Sequence, residues 1–294
     1  MERARGGPAR ARARMSRAKS ITRSGLRRDL IDAVGTLLTQ ARSALFITGP
    51  GLSAESGLAH YRGLPGLLRK SAQDGKLIES ALSADMLTRK PKATWRYLLE
   101  MDRQVAAARP NRGHDVLVAL ERALERTTIM TTNVDRLHQR AGSRNVIEMH
   151  GALHDLQCPR CEMSTRHETY AQLPMPPVCA ICSTVLRPDM PLFGESLPAD
   201  PFTRLQAELD IGFDIVFSIG VSTMFPYLAR PLLLAKQEGI PTVEISQLPT
   251  DMTEVVDFAF RATPTKVLGL IWEVFEQLQS RPVIKLSDEP DRDE

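Results

Sequence analysis

Residues 44–57 read Ala44-Leu45-Phe46-Ile47-Thr48-Gly49-Pro50-Gly51-Leu52-Ser53-Ala54-Glu55-Ser56-Gly57, and this stretch decides the fold. Its first five residues are a short, mostly apolar run, the pattern of a parallel strand covered on both faces. The run ends in a turn with two glycines and continues into what reads as a Ser-capped helix. Strand, Gly-rich turn and helix start together suit a pyrophosphate: glycines let the backbone approach, and a helix N-terminus presents free N–H groups and a positive dipole end. The segment lacks the full G-x-G-x-x-G, so by itself it is equally well an ordinary loop.

Working outward, Leu30, Val34, Leu37, Leu38 and Ala41 recur at helical spacing before this strand. After it, the β-branched run from Thr127 to Thr131 follows a helix carrying Val116, Leu117, Leu120 and Leu124 on one face. Residues 145–149, 213–220 and 240–245 read as further strands. A helical stretch covers 227–238, and a last helix carries Val267, Leu268, Ile271, Val274, Phe275 and Leu278. This alternation implies an α/β fold, a Rossmann-like doubly wound parallel sheet. Residues 63–109 and 156–189 interrupt it. They are expected to form one small helical and zinc-ribbon module, inserted into a Rossmann-like domain made of residues 26–62, 110–155 and 190–280.

The composition, 43% hydrophobic and 25% charged, is that of an ordinary soluble protein. No apolar run approaches the roughly 18–20 residues of a membrane-spanning helix, so a helical span is excluded. The net charge of +3 conceals an asymmetry. Residues 1–28 hold ten Lys or Arg against Glu2 alone, leaving 28 basic and 34 acidic residues elsewhere, a balance of −6. Basicity therefore belongs to the tail, and the globular part is not a nucleic-acid-binding fold on charge grounds. Residues 1–25 lack hydrophobic periodicity and are expected to be disordered, as is the acidic end at 281–294. The tail has no secretory h-region; a mitochondrial transit peptide is weighed against an extended start with Met15 as the alternative, and the second is preferred. A cytoplasmic location follows from that preference. Nucleic acid is expected as a partner only through the tail, if at all.

All four cysteines fall in two knuckles, Cys158-x2-Cys161 and Cys179-x2-Cys182, separated by 17 residues. That spacing brings four thiolates together tetrahedrally and leaves no open position, which reads as one structural zinc in a reducing compartment. A redox pair or unrelated thiols are the alternatives.

The ordered string of motifs resembles the sirtuin family, the NAD-dependent protein lysine deacylases. It comprises 49–63 (GPGLSAESGLAHYRG), 131–142 (TTNVDRLHQRAG), His150-Gly151, the two knuckles, 187–198 (RPDMPLFGESLP) and 219–231 (IGVSTMFPYLARP). The FPY and GIPTVEI stretches look most like bacterial members. The resemblance implies an enzyme that moves an acyl group from a protein lysine to ADP-ribose, releasing nicotinamide. It assigns His150 as catalytic base and Asn133 as a catalytic partner. It places Gly49, Gly51, Ser53, Tyr61, Arg62, Thr132, Asn133, Asp135, Gly220, Ser222 and Ser246 around NAD, and Phe193, Gly194 and Glu195 along the substrate backbone as an added strand. Asp135 could instead serve as a helix cap.

The chain departs from the family pattern at several places. Pro50 replaces an Ala and removes an N–H from the phosphate loop. Thr132 replaces a Gln, Val221 a Thr and Tyr61 a Phe, while Pro191 takes a β-branched position where strand pairing is expected. Acyl groups without charge, such as acetyl, are expected, because Glu100 follows Tyr97 where a carboxylate-binding pair would need a cation; Arg103 or Arg96 in that role is the alternative. The alternatives are ADP-ribosyl transfer or NAD hydrolysis on the same fold, and an NAD-binding module without activity.

Overall fold

The computed structural model describes residues 26–58, 78–221 and 225–280. Tyr61, Arg62 and Ser222 and both tails lie outside them. The quoted apolar run is strand β1 (Ser43–Thr48). It lies inside a six-stranded parallel sheet with β2 (Arg126–Thr131), β3 (Val146–Glu148), β7 (Ile215–Ile219), β8 (Thr242–Ile245) and β9 (Phe258–Phe260), in the order β3-β2-β1-β7-β8-β9. The register pairs Phe46 with Ile129 on one side and with Phe217 on the other. Chain order reverses across β1 and β7, and this is where open α/β sheets bind ligands, beyond the carboxyl ends of the strands.

Side chains of β1 alternate between two cores, as the period of a strand dictates. Ala44 and Phe46 face a layer built from α1 (Arg28–Gln40), α6 (Arg112–Ala123) and α10 (Pro264–Gln279). Leu45 and Ile47 face α8 (Ala199–Ile211) and α9 (Pro226–Gln237). The rings of Phe46 and Phe217 lie 5.1 Å apart at the centre of the first layer. Gly35 lets α1 approach α10: a Cβ there would come within 2.5 Å of Val274.

A second body packs around α3 (Ile78–Ala81), α4 (Ala84–Arg89) and α5 (Pro91–Ala107), together with a three-stranded sheet of β5 (Ser164–Arg166), β4 (Ala152–Gln157) and β6 (Arg187–Asp189). One core holds Trp95 and Leu98 from the first segment and Leu156, Tyr170 and Leu186 from the second. The Trp95 indole donates to the Leu186 carbonyl at 3.1 Å. Asp102, 1% exposed, accepts from His154, Thr169 and the Tyr170 backbone, so a buried carboxylate stitches helix to ribbon. Leu153, expected with the parallel sheet, belongs to this second core.

The structure differs from the sequence reading in several elements. The helix after Gly49, α2 (Pro50–Ala54), has Gly49 as its N-cap with no side-chain cap bond, and Ser53 is buried inside it. Strand β9 and helix α8 carry no clear pattern: β9 is three residues long, and α8 buries only Leu205. Truncation of Phe46 to Ala should cost about 3–5 kcal/mol. Urea unfolding of the variant measures that loss.

Candidate active site

Three loops converge beyond the carboxyl ends of β1, β2 and β7. The Gly49 N–H donates to the Ile219 carbonyl at 3.1 Å, and Gly51 N–H to Gly220 at 2.9 Å. A Cβ on Gly51 would lie 2.6 Å from the Gly220 Cα, and Gly220 itself has φ +62°. These glycines let two loops touch. In the described conformation the first-turn donors of α2 are engaged too: Pro50 has none, Gly51 bonds Gly220, and Leu52 bonds Gly49. Of these two donors, one therefore serves the neighbouring loop and one closes its own turn. Pro50 at the first helical position forfeits an N–H that has no partner within the helix.

Beneath this contact runs a buried polar chain. Asn133 Nδ2 donates to the Gly49 carbonyl at 3.0 Å and to Ser53 Oγ at 2.9 Å. Ser53 Oγ donates in turn to Asp135 at 2.6 Å, and the other Asp135 oxygen accepts the Leu137 N–H at 2.9 Å. Asp135 thus serves the start of α7 (Leu137–Ala141) as well as the loop chain. Burial pushes its carboxyl up, while bonds from Ser53 and Leu137 and the nearby Arg140 act the other way. Thr132 extends the β1–β2 ladder, its N–H meeting Thr48 O at 3.1 Å. Val221 packs into the core under α9.

His150 follows β3 and is half-buried. Its Nε2 lies 2.7 Å from the Tyr227 hydroxyl on α9. Burial lowers its pKa from the ordinary 6.5, against a hydrogen bond to the Thr132 backbone that raises it. Gly151 is required beside it: its φ is +61°, and a Cβ would run into the Asp189 carbonyl oxygen of β6. Arg136, at φ +58°, follows Asp135 and pairs with Glu148 at 3.4 Å and Asp155 at 2.5 Å. It links both lobes next to the histidine loop. Neither Arg136 nor Tyr227 was singled out from sequence; the only prior sign of Tyr227 was its place in the FPY stretch.

Ser246 ends β8, its N–H bonded to Phe260 O and its hydroxyl to Leu248 O. Phe193 differs from expectation. Its N–H and carbonyl already pair with Leu82 and Ala84, at 3.0 and 3.4 Å. Glu195 turns inward to Arg187, at 2.5 and 2.6 Å, and accepts the Leu192 N–H. Pro191 and Leu192 bring in no free donor of the expected edge, since one lacks an N–H and the other's is used; Gly194, at φ +89°, faces open space.

The four cysteine sulfurs lie within 4.8 Å of one another. Neighbouring pairs stand at 3.5, 3.5 and 3.7 Å. Tetrahedral zinc with bonds of about 2.3 Å needs sulfurs about 3.8 Å apart, so the donor set fits that ion. The two knuckles repeat one turn: Glu162 N–H returns to Cys158 O and Ser183 N–H to Cys179 O, with Glu162 and Ser183 both left-handed. Backbone donors from Arg160 and Ile181 reach the first sulfur of each knuckle at 3.4 Å.

A Rossmann-type sheet whose loops meet at its order reversal, a four-cysteine ribbon and a half-buried histidine define a class of dinucleotide-dependent proteins. The sequence profile of the Sir2 family matches residues 49–225, and the chain belongs to that family. NAD-dependent protein deacylase 2 of Pseudomonas aeruginosa is 41% identical over 253 residues, covering 85% of this chain and 96% of the relative. Its counterpart in Pseudomonas syringae is 38% identical, over 79% and 95%. A Sir2 homologue solved with 2′-O-acetyl ADP-ribose superposes with TM-score 0.77 at 29% identity, over 85% of this chain and 98% of that one. A Sir2 homologue–NAD complex gives 0.76 at 31% identity, over 84% and 94%.

Replacing Gly151 with Ala should displace β6 from the histidine loop and cost about 1–3 kcal/mol. Thermal unfolding together with a nicotinamide-release assay checks this; an unchanged melting point would contradict the tight approach.

Proposed function

We propose that this protein is an NAD-dependent protein lysine deacylase that uses His150 as its base. What supports the reading is a half-buried histidine, its charged form disfavoured by burial, at the end of the strand paired with β2, whose following loop carries the buried Asn133–Ser53–Asp135 chain. When bound, NAD supplies a ribose carbon that the acyl oxygen attacks as nicotinamide leaves, so that the acyl group ends on ADP-ribose. Gly49, Gly51, Gly220 and Ser246 would hold the cofactor, and the resemblance adds Tyr61, Arg62 and Ser222, which lie outside the described residues. Asn133 and Asp135 hold its nicotinamide end; Ser53 orients both. His150 takes the proton of a ribose hydroxyl at Nε2, which requires the neutral ring. Phe193, Gly194 and Glu195 border the entry of the acyl-lysine. Glu100 pairs with Arg103 at 3.2 Å, so an anion follows Tyr97 where a carboxylate-binding pair would need a cation, and neutral acyl groups are favoured.

The cysteine cluster holds one structural zinc that keeps the small module folded. Among the described residues no helix is long and apolar enough to cross a membrane, and the partners are acylated proteins. The compartment proposed is the cytoplasm.

Phe193 supports a second reading. With its backbone already paired and Pro191 lacking an N–H, peptide docking is hindered and other acceptors of the ADP-ribosyl group become competitive. Mass spectrometry of protein, NAD and an acetyl-lysine peptide library separates the two. Deacylation gives acetyl-ADP-ribose in step with peptide loss, abolished in His150→Ala. Nicotinamide release with unchanged peptide, or mass added to protein, would establish the second reading instead. The pH profile of kcat/KM should fall on the acid side through a pKa below 6.5, because burial disfavours the imidazolium.

Removing metal with a strong chelator should unfold the small module, since ligand binding supplies its folding free energy. Circular dichroism and melting curves before and after chelation decide this; an unchanged melting temperature would contradict a structural ion.

A further inference from the structure

We propose that Tyr227 is a positioning residue for His150: its phenol holds the imidazole in the acceptor tautomer that the reaction needs. This deepens the preceding reading and rests on His150 being the base. The argument begins with the ring nitrogens. Nε2 meets the Tyr227 hydroxyl at 2.7 Å, the one side-chain hydrogen bond of the ring among the described residues. A phenol that keeps its proton is a donor, and its match on the imidazole is a bare Nε2 with the ring proton on Nδ1.

The phenol itself has little freedom. Tyr227 is half-buried, its ring stacked on Phe225 at 5.8 Å and edge-on to Phe202 at 5.4 Å. Its ring meets that of His150 edge-on at 6.3 Å. Burial pushes its pKa up to about 12, so the hydroxyl keeps its proton across the working range. Were His150 charged, Nε2–H would need an acceptor, and the phenolic proton would be forced toward the aromatic rings that pack around it. The pair therefore favours the neutral base.

Among the described residues no charge competes for this arrangement. On the strand side, Glu148 is held by Arg136. Asp189 of β6 contributes its backbone, not its carboxylate, against Gly151. From α9 and α8, Arg230 and Asp210 line the groove behind the phenol, and both bond Gln206. None is bonded to the imidazole. Within the reaction the ribose hydroxyl takes the place of the phenol at Nε2: one O–H···N bond is exchanged for another, and the proton that His150 gains comes from ribose.

Tyr227→Phe removes the hydroxyl and leaves the three ring contacts, so the fold should survive with its melting point unchanged. Expected are an acid limb of kcat/KM moved up by about half a unit to one unit, because a bond favouring the neutral ring of the free enzyme is lost, and a kcat little changed at alkaline pH, because the phenol has left Nε2 once ribose is bound. Nitrogen NMR of His150 in the cofactor-free protein gives a readout independent of turnover. The wild type should show one neutral tautomer with Nε2 unprotonated, and Tyr227→Phe a mixture with a raised pKa. An unchanged tautomer, pKa and acid limb in Tyr227→Phe would overturn the proposal and leave a packing residue. Full activity in His150→Ala would instead overturn the base assignment and, with it, Tyr227's part in catalysis, whatever the NMR shows.

Discussion

The hydroxyl of Ser53 is the smallest group on which the site depends. It donates to Asp135 and accepts from Asn133, joining the loop after β1 to the loop after β2 inside a region closed to water. Buried carboxylate and amide groups without partners each cost about 1–3 kcal/mol, so losing this hydroxyl would release two loops together. Asn133 carries the chain on to the Gly49 carbonyl, and Gly49 and Gly51 lean on Ile219 and Gly220. Three strand ends are thereby held in register at the point where the sheet's order reverses. Outside this chain, His150 Nε2 meets the Tyr227 hydroxyl at 2.7 Å.

The two lobes are joined by different chemistry. Within the large lobe, apolar layers on both faces of β1 dominate, and the strands are buried throughout. Between lobes one connection is ionic: Arg136, in a left-handed turn after Asp135, bridges Glu148 of the sheet and Asp155 of the ribbon strand, beside the apolar contact of Leu58 and Val134 with the second core. All three charged side chains are about four-fifths buried, so salt screens the pairing little, while burial still pushes the Glu148 carboxyl up against the pull of Arg136. A histidine loop that follows Glu148 directly is placed by the same contact. The cysteine ribbon sits at the far end of β4, so a folded ribbon also keeps Asp155 where Arg136 can reach it.

The large lobe was legible in the sequence because its strands are short continuous apolar runs separated by helices with one apolar face. Ala44–Thr48 and Thr127–Thr131 needed no partner to be recognised. Strand β9 was not, since Phe-Ala-Phe is too short to show a period, and α8 was not, since one buried leucine leaves no stripe. Motifs located Ser53, Asn133, Asp135 and His150, and cysteine spacing located the ribbon. What pattern could not reveal was purpose. Gly49 and Gly51 read as a phosphate cradle, yet their lack of side chains serves contact with Gly220. Phe193 read as a free strand edge, yet its backbone bonds residues 82–84, a partner more than a hundred positions away. Tyr227 carries no motif meaning until α9 brings it to the imidazole.

The central claim is that the cleft over β1 and β7 places an NAD ribose between the Ser53–Asn133–Asp135 chain and His150. A crystal structure of the protein with NAD and an acetyl-lysine peptide tests it most directly. The account expects a ribose hydroxyl at hydrogen-bond distance from His150 Nε2, the Tyr227 hydroxyl displaced from it, and the nicotinamide end against Asn133 and Asp135. A cofactor seated elsewhere, or a ribose away from His150 with the Tyr227 bond intact, would contradict it.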